Sequence, residues 1–528
     1  MKGTAMININ SLTLEQKILQ TKIALMKKGE KLPDKPGAAF FFGQIITEAD
    51  EEGLGELRRY VDEVYEDADI PPLITSDFEN GCGSMVKGLT PLPYLMGLGA
   101  ANDESLAYDY GKATALEALS LGANWSFSPV SDLNINRRNP LVNVRALTDD
   151  TDLAVKLLPQ VVKGMQENGL AACAKHFPGD GMDYRDQHIV TTHNTLPFNE
   201  WKEKSGRVFK ALIDSGVDSI MAGHITLPSY QKERDSEFGM PYPATLSREL
   251  ITGLLKGELG FKGVVVTDAL GMGGINCWFE SREITEIEAF KAGCDMLLWP
   301  TESYTENMKK AIERGYISME RLDDAVSRVL ALKEKLGLFD KNRKRFRDMS
   351  NEETQFVRKT QMAVSQKSVT LIRDIKKLFP IDVNRTKKIL LVPVINHEPA
   401  FSHAEHLRDL LAERGAEVIY MPQMETEAFY KLADEVDLII FAMFSRSFRP
   451  IGFLDYYGKA ASALQRALCA GREKTIGVSF GSPYFGSQYF ERAYTYVNAY
   501  SMLNCSVEAF VKAAFGDEPF YSFSPVKE

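Results

Sequence analysis

The feature that most constrains this chain is an alternation. From about residue 10 to 340, short apolar runs give way again and again to amphipathic stretches of helical period. The runs are Ala39–Gly43, Pro72–Ser76, Trp125–Val130, Ala171–His176, Ser219–His224, Val264–Asp268 and Asp295–Trp299. Between them stand Asp103–Leu121, Asp152–Asn168, Lys204–Ser215 and Arg282–Ala292. Successive strands separated by helices run parallel, because the helix supplies the crossover. Seven strand segments over about 300 residues favour a closed (β/α)8 TIM-type barrel over an open two-layered sheet. No eighth strand stands out from the pattern.

The rhythm breaks after residue 340. KNRKRFRDMSNEE is densely charged, and a helix is expected over 352–367. A second alternation follows. Its strand segments are Lys388–Val394, Glu417–Met421, Asp437–Phe444, Thr475–Phe480 and Thr495–Ala499; its helices include His406–Arg414 and Ser506–Phe515, stopped by Gly516. The expected organisation is a barrel over 1–345, a helical linker over 346–385 and a smaller three-layer α/β domain over 386–528. After the first strand of the second domain the chain reads Val392-Pro393-Val394-Ile395-Asn396. That is no glycine-rich phosphate loop, so a nucleotide role has no support.

Composition narrows the function classes. The net charge is -10, the wrong sign for a nucleic-acid binder. No apolar run approaches the ~20 residues that span a membrane, and the N-terminus MKGTAMININ lacks the pattern of a signal peptide. Cysteines 82, 173, 277, 294, 469 and 505 are scattered, with no metal-ligand spacing. Buried thiols in a reducing compartment are the expectation, and with them a cytoplasmic protein.

In such a barrel, chemistry sits where strands end and in the loops that follow. Asp268 closes the run Val264-Val265-Val266-Thr267. A carboxylate at a strand end is most often a helix cap or turn former, but the Ala-Leu-Gly-Met-Gly-Gly that follows is a poor helix start. The segment from Lys175 to His188 is denser. An apolar strand runs directly into Lys175 and His176, then into a loop with Asp180, Asp183, Asp186 and His188. Asp186 and His188 can pair, fixing the imidazole tautomer and raising its basicity. A metal site is the rival reading, yet no H-x-x-x-H spacing supports it. Asp77, Asp132, Arg145 and His224 also stand at strand ends or in the loops beyond them; for Asp132 and His224 a structural role is expected.

Three motifs now point to a family: LAACAKHFPGDGMDYRDQH, PATLSRELITGLLKGELGFKGVVVTDALGM and NWSFSPVSDLNINRRNPLVNVRAL. With them the chain resembles glycoside hydrolase family 3, in its β-N-acetylglucosaminidase branch. The resemblance is strong over residues 10–340 and continues more weakly through TIGVSFGSPY and SVEAFVKAAFG. It implies a retaining enzyme with Asp268 as nucleophile, His188 as proton donor and acceptor, and Asp186 steering it. Lys175, His176, Arg145 and Asp77 match the family's sugar-hydroxyl binders. Double displacement fits these groups, since it needs an ionised carboxylate below the anomeric carbon and a proton carrier on the leaving-group side. The chain departs from the family where D-Q-E-G-G-R is usual: here Asp77-Phe78-Glu79-Asn80-Gly81-Cys82, with no arginine before Lys87. Gly179-Asp180-Gly181 likewise stands for G-H-G.

The expected activity is exo-β-N-acetylglucosaminidase on a small saccharide with a terminal β-linked N-acetylglucosamine, as in cell-wall recycling. The alternatives are a β-glucosidase, β-xylosidase or phosphorolytic relative, or a catalytically silent sugar-binding protein. No cofactor or metal is expected, nor a nucleic-acid or membrane partner. Gly452–Lys459 reads as a surface loop or a loop toward a partner. The oligomeric state cannot be read from the sequence.

Overall fold

A computed structural model describes residues 7–42, 51–396, 398–445, 447, 452, 454–521 and 523–527. Eight parallel strands form its first sheet: β1 (Lys22–Met26), β2 (Ala38–Phe41), β3 (Leu73–Ser76), β4 (Trp125–Ser126), β5 (Ala171–Phe177), β6 (Ser219–Ala222), β7 (Val264–Thr267) and β8 (Leu297–Leu298). From β1 to β7 each pairs with the next in sequence, and β8 pairs with β1. A parallel bridge from Val266 to Met296 ties β7 to β8 and completes the ring. The (β/α)8 barrel is thus present, and β1 is the strand that the pattern hid. Helix Leu14–Gln20 runs into β1 through Thr21 alone. Ile18, Leu19, Ile23 and Met26 therefore read as one amphipathic helix. Gly43, the last residue of the first expected strand, lies outside the described residues.

The strands are apolar on both faces because both are covered. Phe40, Trp125, Cys173, Met221, Val264 and Val266 fill the barrel interior. Their neighbours Ala39, Ile74, Ala172, Ala174, Ile220 and Val265 face the surrounding helices. Two of those helices, Glu104–Ser120 and Thr151–Gln166, approach through glycines: a Cβ on Gly164 would stand 2.0 Å from the Tyr108 carbonyl oxygen, and one on Gly111 2.1 Å from that of Val161.

Helix Asn351–Ser368 opens with a Ser350–Glu353 capping box, as its sequence suggests. It lies against helices of both the barrel and the second domain. The second sheet contains β9 (Thr370–Asp374), β10 (Lys388–Ile395), β11 (Glu417–Tyr420), β12 (Leu438–Phe444), β13 (Thr475–Phe480) and β14 (Thr495–Asn498). Its order is β9-β14-β13-β12-β10-β11, with only the β9–β14 pair antiparallel. Apolar clusters cover both faces, giving three layers. Strand β9 falls inside the segment expected to be linker.

The two domains pack together. Tyr94, Met96, Val144, Tyr484, Tyr500 and Val526 form one cluster across the junction. Asn134 Nδ2 donates to the Tyr484 hydroxyl at 2.7 Å, and Lys527 N donates to Asp149 Oδ2 at 2.9 Å. Among the described residues no helix is long and apolar enough to cross a membrane.

Candidate active site

The carboxyl ends of β3, β5, β7 and β8 converge on one cavity of about 300 Å3, lined by Asp77, Glu79, Arg145, Lys175, His176, His188, Asp268 and apolar side chains. Strand β7 is held by β6 and β8 on either side, and its last bond is Asp268 N to the Ala222 carbonyl at 2.9 Å. The carboxylate beyond it is therefore rigidly placed. Asp268 Oδ1 accepts from Ala269 N at 2.7 Å, and the next helix starts only at Gly273, so the helix-cap role does not apply. Burial by itself would raise the Asp268 pKa. The imidazoles of His176, His224 and His188, with the Ala269 N–H, outweigh it and hold the carboxyl below its usual value.

His176 is clamped from behind. Asp132 takes its backbone N–H at 3.0 Å and its Nδ1 at 2.7 Å, and also accepts from Asp180 N at 2.7 Å. With Nδ1 donating to a carboxylate, Nε2 points forward, 3.8 Å from Asp268 Oδ2. The expected structural role of Asp132 is thus to position a cavity residue. His224 is fully buried, bonded to Thr245 Oγ1 at 2.9 Å and to the Ala269 carbonyl at 3.1 Å; burial holds its pKa down. It supports the segment after Asp268. Asp180 is buried beside Asp132, and both facts push its carboxyl well above the usual range. Its Oδ1 accepts from Asn139 Nδ2 and Gly181 N.

The opposite wall is a buried charge cluster. Arg145 reaches Glu79 with two bonds of 2.8 Å. Lys175 Nζ lies 2.6 Å from Glu79 Oε1 and 2.7 Å from Asp77 Oδ1. Burial would raise the Glu79 pKa, but the two cations hold it well below the carboxylate range. For Asp77 the balance goes the other way: burial wins over Lys175 and the pKa is raised. The four expected binders Asp77, Arg145, Lys175 and His176 all meet here. Glu79 is the member that sequence reasoning missed; the signals were an acid two residues past Asp77, in a strand-end loop, and its match to the glutamate of D-Q-E-G-G-R. The departures from the family pattern at Phe78 and Cys82 face the core, both buried, with Phe78 5.9 Å from Phe41 ring to ring.

The Asp186–His188 pair forms as the spacing suggests. Asp186 Oδ1 accepts from His188 Nδ1 and from His188 N, each at 2.8 Å. Asp186 is buried and His188 is part-exposed, so Nε2 is the nitrogen turned to a ligand. Trp299 was also missed. It follows β8 directly at φ +57°, a left-handed conformation that non-glycine residues rarely adopt. Its indole Nε1 has no hydrogen-bond partner among the described residues. An aromatic just past a barrel strand was the available signal. Among the described residues no group of three or more His, Cys, Asp or Glu side chains is arranged to hold a metal ion.

A second cavity of about 670 Å3 opens where the barrel meets the second domain, with Arg137, Arg138 and Tyr184 on one side and Asp455 and Gln488 on the other. Tyr184 belongs to the same loop as His188. Of the Gly452–Lys459 segment, Phe453 lies outside the described residues, while Leu454 and Asp455 line this cavity rather than a bare surface.

The glycosyl hydrolase family 3 N-terminal domain matches residues 13–332. A β-N-acetylglucosaminidase/β-glucosidase of Cellulomonas fimi is 31% identical over 494 residues, covering 87% of this chain and 84% of its own. Among solved structures, the β-glucoside phosphorylase BglX superposes with a TM-score of 0.88 at 28% identity, over 98% of this chain and 94% of that one. A family 3 β-N-acetylglucosaminidase from Paenibacillus sp. str. FPU-7 gives 0.83 at 27% identity, over 98% and 99%.

Proposed function

The chain belongs to glycosyl hydrolase family 3, and from that premise we propose a retaining exo-β-N-acetylglucosaminidase that works through a glycosyl-enzyme intermediate on Asp268. One observation carries the reading: Asp268, kept ionised by its surroundings, shares a cavity with an imidazole steered by Asp186. In the first step Asp268 attacks the anomeric carbon while His188 protonates the departing oxygen. In the second, His188 takes a proton from water, which displaces Asp268 and restores the configuration. Asp186 stabilises the imidazolium that donates in the first step and re-forms in the second. Asp77, Arg145, Lys175 and His176 hold sugar hydroxyls. Met221, Met272, Leu298 and Trp299 supply apolar surface for the sugar ring and an acetamido methyl.

The barrel, 1–345, carries the chemistry in this reading. The 386–528 domain borders the second cavity, which Tyr184 of the His188 loop also lines. A role in cell-wall recycling belongs to the same reading. So does a cytoplasmic location, supported by six cysteines without a disulfide, four of them buried.

An aryl N-acetyl-β-glucosaminide should be cleaved. Asp268→Ala should abolish cleavage, and a 2-fluoro glycosyl donor should label Asp268. Turnover persisting in Asp268→Ala overturns the mechanism, and faster cleavage of the matching glucoside overturns the substrate.

Phosphorolysis is a second reading, favoured by a specific feature. An imidazole acid/base repels an incoming phosphate less than a carboxylate would, and one near structural relative is named a phosphorylase. Phosphate oxygen would then displace Asp268 in the second step. Accumulation of sugar 1-phosphate on adding phosphate decides for it.

A further inference from the structure

The His188 loop does not rest on the barrel wall in general. It rests on the segment that follows Asp268. Gly273 N donates to the His188 carbonyl at 2.8 Å, and Gly274 N to that of Gln187 at 3.2 Å. Thr191 Oγ1 donates to the Gly274 carbonyl at 2.7 Å and accepts from Trp278 Nε1 at 2.8 Å. Gln187 is fully buried, its Oε1 accepting from His224 N at 2.9 Å. The outer residues Ile189 and Val190 are exposed, so the seat lies underneath.

Two backbones meet there with no side chain between them. A Cβ on Gly273 would stand 2.2 Å from the Ile189 carbonyl oxygen, and one on Gly274 2.5 Å from that of Gln187. Neither glycine has a positive φ. What these positions require is space, not conformational freedom.

We propose that Gly273 and Gly274 are positioning residues for proton transfer: the loop carrying the nucleophile is itself the seat of the acid/base loop. The register of His188 against Asp268 is then set by backbone contact through a short path, five and six residues past the nucleophile. Added bulk lifts His188 without touching Asp268 or the sugar-hydroxyl binders. Thr191, bridging Gly274 to Trp278, holds the loop down at its far end. The inference rests on the assignment of His188 as acid/base.

That assignment gives the test its selectivity. A leaving group that departs unaided needs no proton in the first step, whereas a poor one does. Water needs a base in the second step, whereas azide does not. For Gly274→Ala, kcat/KM on an alkyl N-acetyl-β-glucosaminide should fall by about 10²-fold, a general acid's usual share. On the 2,4-dinitrophenyl glycoside it should fall less than about fivefold, while kcat drops and azide restores it as the β-glycosyl azide. Thr191→Val, which adds no bulk, should show the same pattern more weakly and carries the test if Gly274→Ala does not fold. Adding Gly274→Ala to His188→Ala should cost nothing more. Equal losses on both donors, or none, overturn the positioning role. Absence of the leaving-group pattern in His188→Ala itself would instead overturn the acid/base assignment.

Discussion

Glu79→Gln is the sharpest probe of the buried charge cluster. Glu79, Arg145 and Lys175 each have no more than 5% of the side chain exposed, and Glu79 makes contacts of 2.8, 2.8 and 2.6 Å to the two cations. Glutamine keeps the shape but offers one acceptor, and turns an NH2 toward a cation. Asp77 is already engaged with Lys175 at 2.7 Å. Breaking a buried pair from one side costs about 3–5 kcal/mol. For a barrel of about 345 residues, at about 2.1 cal/mol/K per residue, that is a melting shift of roughly 4–7 °C. The folded variant should also turn over poorly. Arg145 and Lys175 lose their anchor at the wall proposed to hold the sugar, and a displacement of about 1 Å costs about 10²-fold. Thermal melts and kcat/KM on an aryl N-acetyl-β-glucosaminide read both effects. Because Glu79 titrates lower folded than unfolded, its contribution is whole above the ordinary Glu pKa and fades as pH falls below it. The stability gap between wild type and variant should therefore narrow in acid. A melt within about 2 °C of wild type, with unchanged kcat/KM, would refute the reasoning.

Two other predictions concern stability away from the site. Lys333 is fully buried, its Nζ bonded to Gln20 Oε1 at 2.6 Å, and burial pushes its pKa down to about 7. Between that value and its ordinary pKa the unfolded chain holds a proton that the folded one lacks, so stability rises with pH there. Lys333→Met should raise the melting temperature most at or below pH 7 and lose its advantage by about pH 10, as a melt series over pH shows. Gly164→Ala places a methyl against the Tyr108 carbonyl, where the gap is 2.0 Å. It should cost about 1–3 kcal/mol in denaturant unfolding, with kcat per folded molecule unchanged.

What the sequence revealed and what it hid follow from how far each signal reaches. Strands β2 to β8 were legible because each is an apolar run bounded by polar turns, a local feature. Strand β1 was not, because helix Leu14–Gln20 enters it with one intervening residue and the two periods merge. In the second domain, β9 was lost in a charged segment. It pairs with Thr495–Asn498, far along the chain, and nothing nearby marks it. The same division holds in the site. Asp186 and His188 are two residues apart, so their pairing is nearly forced by chain geometry. Glu79 takes its meaning from Arg145 and Lys175, which lie in other loops of the barrel. Seen alone it was one retained letter in a segment that departs from a family pattern at Phe78, Asn80 and Cys82.

Gly273 and Gly274 are the extreme case, for their contribution is an absence of side chain. In sequence the Ala269–Gly274 segment reads as flexible. In the fold its N–H groups are the donors that fix the His188 loop, and the residue type is set by a carbonyl 2.2 or 2.5 Å away on another loop. A glycine pair after a nucleophile can mean slack or close approach, and only the partner backbone distinguishes the two. The proposed catalytic groups were therefore readable as chemistry, while the distance between them was not. That distance is held by the least informative residues in the motif.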